Sequence, residues 1–259
     1  MQIRNEATRE WLYAAKSMAT TYGSFFYWLF REPFPSRQIL QQFVRVLLEG
    51  AGTLALGAVI QGMMFAWLTG YYGRQYSFYS WVGALSNYAL LSETTTLIAG
   101  MLFACRVGTA FTVEIGSMQM SGQLDALRLM AVEPVQHIVI PRVLSSVAAL
   151  IILKAITDGV AVCSAMLFLN LWFSVSFPVY LQHAFQVLRP PILWTSYLRV
   201  AIMAFFVSVN ACGIGYQFVG GAEDLGKSTT KSIVINFITV IVVDWLYGMV
   251  DLLTGWSTV

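Results

Sequence analysis

Charge is what this sequence has least of. Only 11% of its 259 residues are Asp, Glu, Lys or Arg, against about 25% in soluble domains. With 58% hydrophobic residues and a mean hydropathy of +0.68, the composition excludes an ordinary soluble domain and points to a polytopic membrane protein. Histidine is nearly absent: His137 and His183 are the only two. There is no H-E-x-x-H and no nucleophile elbow, so the chain lacks the parts of familiar hydrolytic or zinc chemistry and reads as a non-enzyme. Cys105, Cys163 and Cys212 sit in apolar runs at unrelated spacings, which excludes a metal motif or a disulfide framework and predicts buried, inert thiols. A net charge of +2 gives no footing for nucleic acid. No cofactor and no metal is implied. No cleavable signal sequence is expected, because Arg4, Glu6, Arg9 and Glu10 interrupt the N-terminus and no apolar stretch follows them directly. Without repeats or low-complexity tracts, residues 1–259 read as one domain.

Long apolar runs are what the sequence does have. Five segments approach the ~20 residues a bilayer requires, at 46–69, 82–105, 143–169, 200–219 and 233–253. The expected fold is an all-α integral membrane protein. Ahead of the spans, Ile3, Ala7, Trp11, Ala15, Met18, Tyr22, Phe25, Phe26 and Leu29 recur at three- and four-residue steps. Arg4, Arg9 and Lys16 fall off that stripe, so 1–32 is expected to lie in the membrane interface as an amphipathic helix ended by Pro33 and Pro35. Eleven Lys and Arg fall on the N-terminal side of the spans, including Arg106, Arg128 and Arg142 of the central segment, whereas Arg74, Arg189 and Arg199 fall on the other side. By the positive-inside rule the N-terminus is cytoplasmic and the C-terminus lies outside. The segment Asn170–Leu198 is then extracytoplasmic and is expected to contain a short helix.

Charges at bilayer depth cost ~2.5–3.5 kcal/mol on insertion scales, so each asks for a partner or an aqueous cavity. Lys154 and Asp158 stand four apart on the third span and can pair on one helix face. Asp244 has no such partner in its own span. Glu93, midway along the second span in Ser92-Glu93-Thr94-Thr95-Thr96, asks for an interior neighbour, as does Gln61 in the first span. The hydroxyls beside Glu93 can bond to their own helix carbonyls and carry little meaning alone. Gly100, Ala104 and Gly108 form a small-residue ridge suited to close helix packing.

Between the second and third spans lies a charged, amphipathic segment, 106–142. A simple turn needs only a few residues; more than thirty suggest that a partner outside the membrane grips it. One match is a decoy. Gly221 to Ser228 fits G-x-x-x-x-G-K-[ST], but an apolar span precedes it and about thirty residues follow, leaving no room for a nucleotide-binding sheet. Ser228 or Thr229 is instead expected to cap the fifth span's helix.

The stretch ACRVGTAFTVEIGSMQMSGQLDALRLMAVEPVQHIVIPRVL resembles the signature block of the MlaE/YrbE permeases, the membrane subunits of MCE-type ABC lipid transporters. Arg106, Val107, Gly108, Ala110, Glu114, Gly116, Met118, Asp125, Ala126, Leu127, Pro134, Pro141 and Arg142 fall in register with it. A second block, VGGAEDLGKSTTKSIV, is similar to the stretch before that family's last span and accounts for the decoy. The chain departs from the pattern at Gly122 and Gln123, where acidic residues are usual, and at Ser92, where many members carry Arg.

The resemblance implies a permease subunit of the bacterial inner membrane, paired with a second permease copy. A separate ATPase would sit on the cytoplasmic side and an MCE protein on the periplasmic side, with lipid, most simply phospholipid, as cargo. It places the coupling helix in 106–142, with Glu114, Asp125, Arg128 and Glu133 toward the ATPase. A lipid cavity is expected at Gln61, Met64, Phe65, Leu68 and Glu93. The competing expectation is a proton-coupled carrier using Glu93, Lys154, Asp158 and Asp244 as a relay; no inverted repeat supports it.

Overall fold

The computed structural model describes residues 21–28, 36–76, 81–187 and 190–254. Nearly all of these are helical: α1 (21–28), α2 (Ser36–Gln75), α3 (Val82–Met120), α4 (Gln123–Leu129), α5 (Val135–Phe173), α6 (Phe177–Val187), α7 (Pro190–Tyr216) and α8 (Ala222–Thr254). Five of them, α2, α3, α5, α7 and α8, are long and apolar enough to cross a membrane. The protein is an all-α integral membrane protein. Most of the expected interfacial segment 1–32 lies outside the described residues. Its final part, α1, buries Phe25 against Phe205 and rests Tyr22 on Phe205 and Phe206.

The helices outrun the apolar windows. At 1.5 Å per residue, the 39 residues of α3 span about 58 Å, while a bilayer core is about 30 Å thick. Hydropathy marks only the crossing portion; the helix continues until something stops it. Two starts lie ahead of their apolar runs for identifiable reasons. Pro190 and Pro191, read as loop residues, open α7, where a missing N–H costs nothing in the first helical turn. Arg199, counted with the outside charges, therefore lies well inside a span. The helix α8 starts at Ala222, ahead of Ser228 and Thr229, so neither caps it: Asp224 Oδ2 accepts from Gly221 N–H (3.3 Å), and Thr229 bonds back to Leu225. The cysteine expectation also changes, because Cys105 and Cys163 are exposed and only Cys212 is buried.

Segment 106–142 is not one element. Its first part continues α3 to Met120. Gly122 then turns the chain with φ +72°, a left-handed conformation that glycine adopts without strain. Helix α4 closes with Ala131 left-handed (φ +58°), Val132 N–H bonding Leu127 C=O and Ala131 N–H bonding Arg128 C=O. This is a Schellman closure that returns the chain to α5.

The residues form two compact units, and each of the five long helices contributes to both. The first unit comprises the described residues of Met1–Val46, Ala104–Ala148 and Ala204–Thr239; the second, those of Leu47–Phe103, Ala149–Met203 and Val240–Val259. In the second, Ala58, Ala66, Leu90, Ala161, Ala165 and Leu169 make a small-residue core, sealed by Tyr180 of α6. Gly83 lies so close to α6 that an added Cβ would meet the Tyr180 carbonyl oxygen at 2.8 Å. Tyr180 donates to Asn87 Oδ1 (2.8 Å), and burial pushes its phenol up to about 12. In the first unit, Gly108 admits Asn236 of α8, and Thr112 ties α3 to Ala211 of α7 and Ser232 of α8.

Candidate functional site

The second unit contains a charge network carried by the spanning helices α3, α7 and α8. A π-helical turn at Leu90–Thr94 interrupts α3, a local underwinding often found at functional positions. It is held by Thr94 bonding back to Ala89 (2.6 Å), and it turns Glu93 toward α7. There Arg199, only 3% exposed, grips Glu93 with both terminal nitrogens, Nη1 to Oε2 at 2.5 Å and Nη2 to Oε1 at 3.2 Å. Nη1 also reaches Asp244 Oδ1 of α8 at 3.1 Å, so the Asp without a partner in its own span is met from another helix. The Tyr247 ring lies 4.8 Å from the guanidinium carbon, within cation–π range. The Glu93 side chain itself remains 60% exposed.

A second cluster stands on α5. Lys154 is fully buried; its Nζ lies 2.5 and 2.6 Å from the Asp158 oxygens and donates to Thr95 Oγ1 at 2.9 Å. The Thr95 hydroxyl is 2.7 Å from Asp158 Oδ1, and the Tyr197 ring of α7 lies 5.6 Å from Nζ. Buried ions demand this degree of pairing, because removing either partner strands the other. Across these two clusters, three carboxylates (Glu93, Asp158, Asp244) face two cations (Lys154, Arg199).

The remaining cavity candidates do not share one face. Gln61 is 3% exposed, on the buried side of α2 among Ala58, Thr95 and Thr157, with its Nε2 unpartnered. Met64 and Leu68 belong to the opposite, outward stripe with Leu56, Ile60, Met63 and Trp67, and Phe65 is half-buried between the two sides. An apolar cavity of about 580 Å³ opens elsewhere, between Ile151 of α5 and Leu193, Trp194, Tyr197 and Leu198 of α7.

In the first unit, Glu114 of α3 pairs with Arg142 of α5 (2.9 Å) and with Arg45 of α2, and Phe111 lies under the Arg142 guanidinium. Arg142 is buried while Arg45 is half exposed. On α4, Arg128 bridges Asp125 (2.8 Å) and the Tyr216 hydroxyl at the end of α7 (2.6 Å). Beyond it Leu129 and Met130 are 90% and 65% exposed. Glu133 follows in the turn before α5, partly covered.

Sequence reasoning missed Arg199, Thr95 and Tyr197. Arg199 was hidden by the boundary error at Pro190, and Thr95 by the expectation that hydroxyls in spans serve only their own carbonyls. For Tyr197 no sequence signal existed. Among the described residues no three His, Cys, Asp or Glu converge as a metal ion would need.

Five crossing helices, a paired charge network in their midst and a short helical element outside the spans define a multi-pass, permease-type membrane protein. The chain belongs to the Permease MlaE family, whose profile matches residues 39–250 and takes in all five spans. It is similar to Protein TRIGALACTOSYLDIACYLGLYCEROL 1, chloroplastic, of Arabidopsis thaliana, with 28% identity over 81% of this chain and 60% of that protein. The chain thus spans about three fifths of that plant relative's length. It is also similar to the Probable ABC transporter permease protein RC0129 of Rickettsia conorii (26% identity, 84% of each chain). A third relative is the Probable ABC transporter permease protein slr1045 of Synechocystis (24% identity, 80% of this chain and 78% of that one).

Proposed function

We propose that this chain is the permease subunit of an ATP-driven transporter that moves lipid, most simply phospholipid, between the bacterial inner membrane and a periplasmic MCE protein. The ATP is hydrolysed by a separate cytoplasmic subunit, and two permease copies form the membrane body. The observation that carries this reading is Glu93. A carboxylate 60% exposed at mid-span would face hydrocarbon in an isolated chain, which is costly. A second copy and a cavity admitting water or a polar headgroup remove that cost. The outward apolar stripe of α2, with Met64 and Leu68, supplies a wall for acyl chains, and Glu93 marks where a headgroup meets charge.

The coupling role falls to α4. Leu129 and Met130, apolar and exposed outside the spans, ask for a protein partner. Asp125 and Arg128 fix the helix's orientation through Tyr216, so a push on α4 is delivered to α7. Glu133 stands at the same turn. Glu114, locked between two arginines, transmits rather than docks. With the N-terminus cytoplasmic, α4 lies on the ATPase side.

The test is ATP-driven lipid transfer by the reconstituted complex. The Asp125→Ala/Arg128→Ala chain should insert and assemble but lose most transfer. Undiminished transfer would refute the coupling assignment. Transfer that follows a proton gradient and ignores ATP would replace the whole reading with the carrier alternative.

A further inference from the structure

We infer that the first unit holds a binding site for the anionic phosphodiester headgroup of a lipid, centred on Arg106 and the Thr109 hydroxyl. The inference requires only that the chain spans a membrane; it does not depend on what the chain transports.

Four observations support it. A second π-helical turn, Ala104–Gly108, breaks α3 where Arg106 sits. Just beyond it opens a cleft of about 470 Å³, lined among the described residues by Cys105, Arg106, Thr109, Ala110, Val113 and Glu114. Thr109 and Ala110 lie three and four residues beyond Arg106, and Val113 lies four and three beyond them, so they share one side of the helix.

Polar groups in the cleft lack partners. Arg106 is exposed and, among the described residues, pairs with no carboxylate, unlike Arg45, Arg128, Arg142 and Arg199. Thr109 Oγ1 is buried without a hydrogen bond among the described residues, which natural interiors seldom tolerate. The neighbouring Glu114 is already held by Arg45 and Arg142, so three guanidiniums stand against one carboxylate.

This arrangement suits one kind of ligand. Guanidinium is a bidentate donor for phosphate oxygens, and a threonine hydroxyl supplies a third donor. A phosphodiester accepts all three, while Val113 and Ala110 continue the face with apolar surface for the first carbons of the chains. The ending of an apolar span in a basic residue is where anionic headgroups concentrate.

Native mass spectrometry of the full-length chain in detergent, titrated with phosphatidylglycerol, phosphatidylcholine or inorganic phosphate, tests this. Phosphatidylglycerol should stay bound in preference to phosphatidylcholine. Arg106→Ala should weaken it about tenfold or more, and Thr109→Val about threefold. Arg106→Lys should recover only part of the affinity, since the charge remains but the bidentate fork is lost. Thr109→Val is nearly isosteric and stays informative if Arg106→Ala does not fold. The inference is overturned if neither variant changes phosphatidylglycerol binding, or if millimolar inorganic phosphate displaces the lipid completely, which would make this a site for soluble anions.

Discussion

The two units solve the problem of charge among apolar helices in opposite ways. The first is rich in guanidinium: Arg45 and Arg142 hold Glu114, Arg106 lines the same cleft, and two of the three arginines remain exposed. The second is rich in carboxylate, with Glu93, Asp158 and Asp244 answered by cations that are almost fully buried, Lys154 and Arg199. Where water or headgroups are near, a long cationic side chain can stay hydrated and make weak pairs. A buried cation has no such solvent and is fixed by more than one partner: Lys154 by Asp158 and Thr95, Arg199 by Glu93 and Asp244. The difference is between arginines left exposed in the first unit and cations enclosed by their partners in the second.

Removal of one partner on each side tests this contrast. The largest loss is expected for Lys154→Met, which strands the buried Asp158 and should cost about 3–5 kcal/mol. Thermal unfolding in detergent should show it, and Lys154→Met/Asp158→Leu should recover most of the loss. An undiminished melting temperature for the single variant would show that Asp158 is solvated, erasing the contrast.

The first unit should respond less. Arg142→Ala removes a buried guanidinium but leaves Glu114 its second arginine, for a loss of about 1–3 kcal/mol. Arg45→Ala at the exposed end should cost under about 1 kcal/mol and fade at high salt. Equal losses from the two would mean that burial does not grade these pairs.

A neutral contact gives the smallest effect. The Tyr180 phenol is raised in the folded state, so its contribution is complete below its ordinary value of 10.0 and is lost as pH climbs toward about 12. Over that range the unfolded chain releases its proton first. Tyr180→Phe should melt slightly lower at neutral pH and show a shallower alkaline decline; an identical alkaline slope would sever Tyr180 from it.

Much of the architecture was legible in the order of residues. The apolar runs disclosed five crossing helices, and the signature block from Ala104 into α5 placed the chain in its family. Both are local properties, since bilayer thickness sets the length of an apolar run and motif spacing is written in series. The ends of helices were read less well. Pro190 looks like a loop residue until its place in a first turn is known, and that error concealed Arg199. The faces of helices are not written in the apolar run: Gln61 and Met64 are three residues apart in α2, yet one is buried and the other exposed.

The sequence by itself thus determined that the chain lives in a membrane, how many times it crosses, and to which family it belongs. Only the tertiary structure decided which charges meet. Glu93, Arg199 and Asp244 come from three helices and are separated by 106 and 45 positions along the chain. No periodicity encodes such a meeting, because the cost of burying an ion is settled by whichever helix brings the opposite charge within reach.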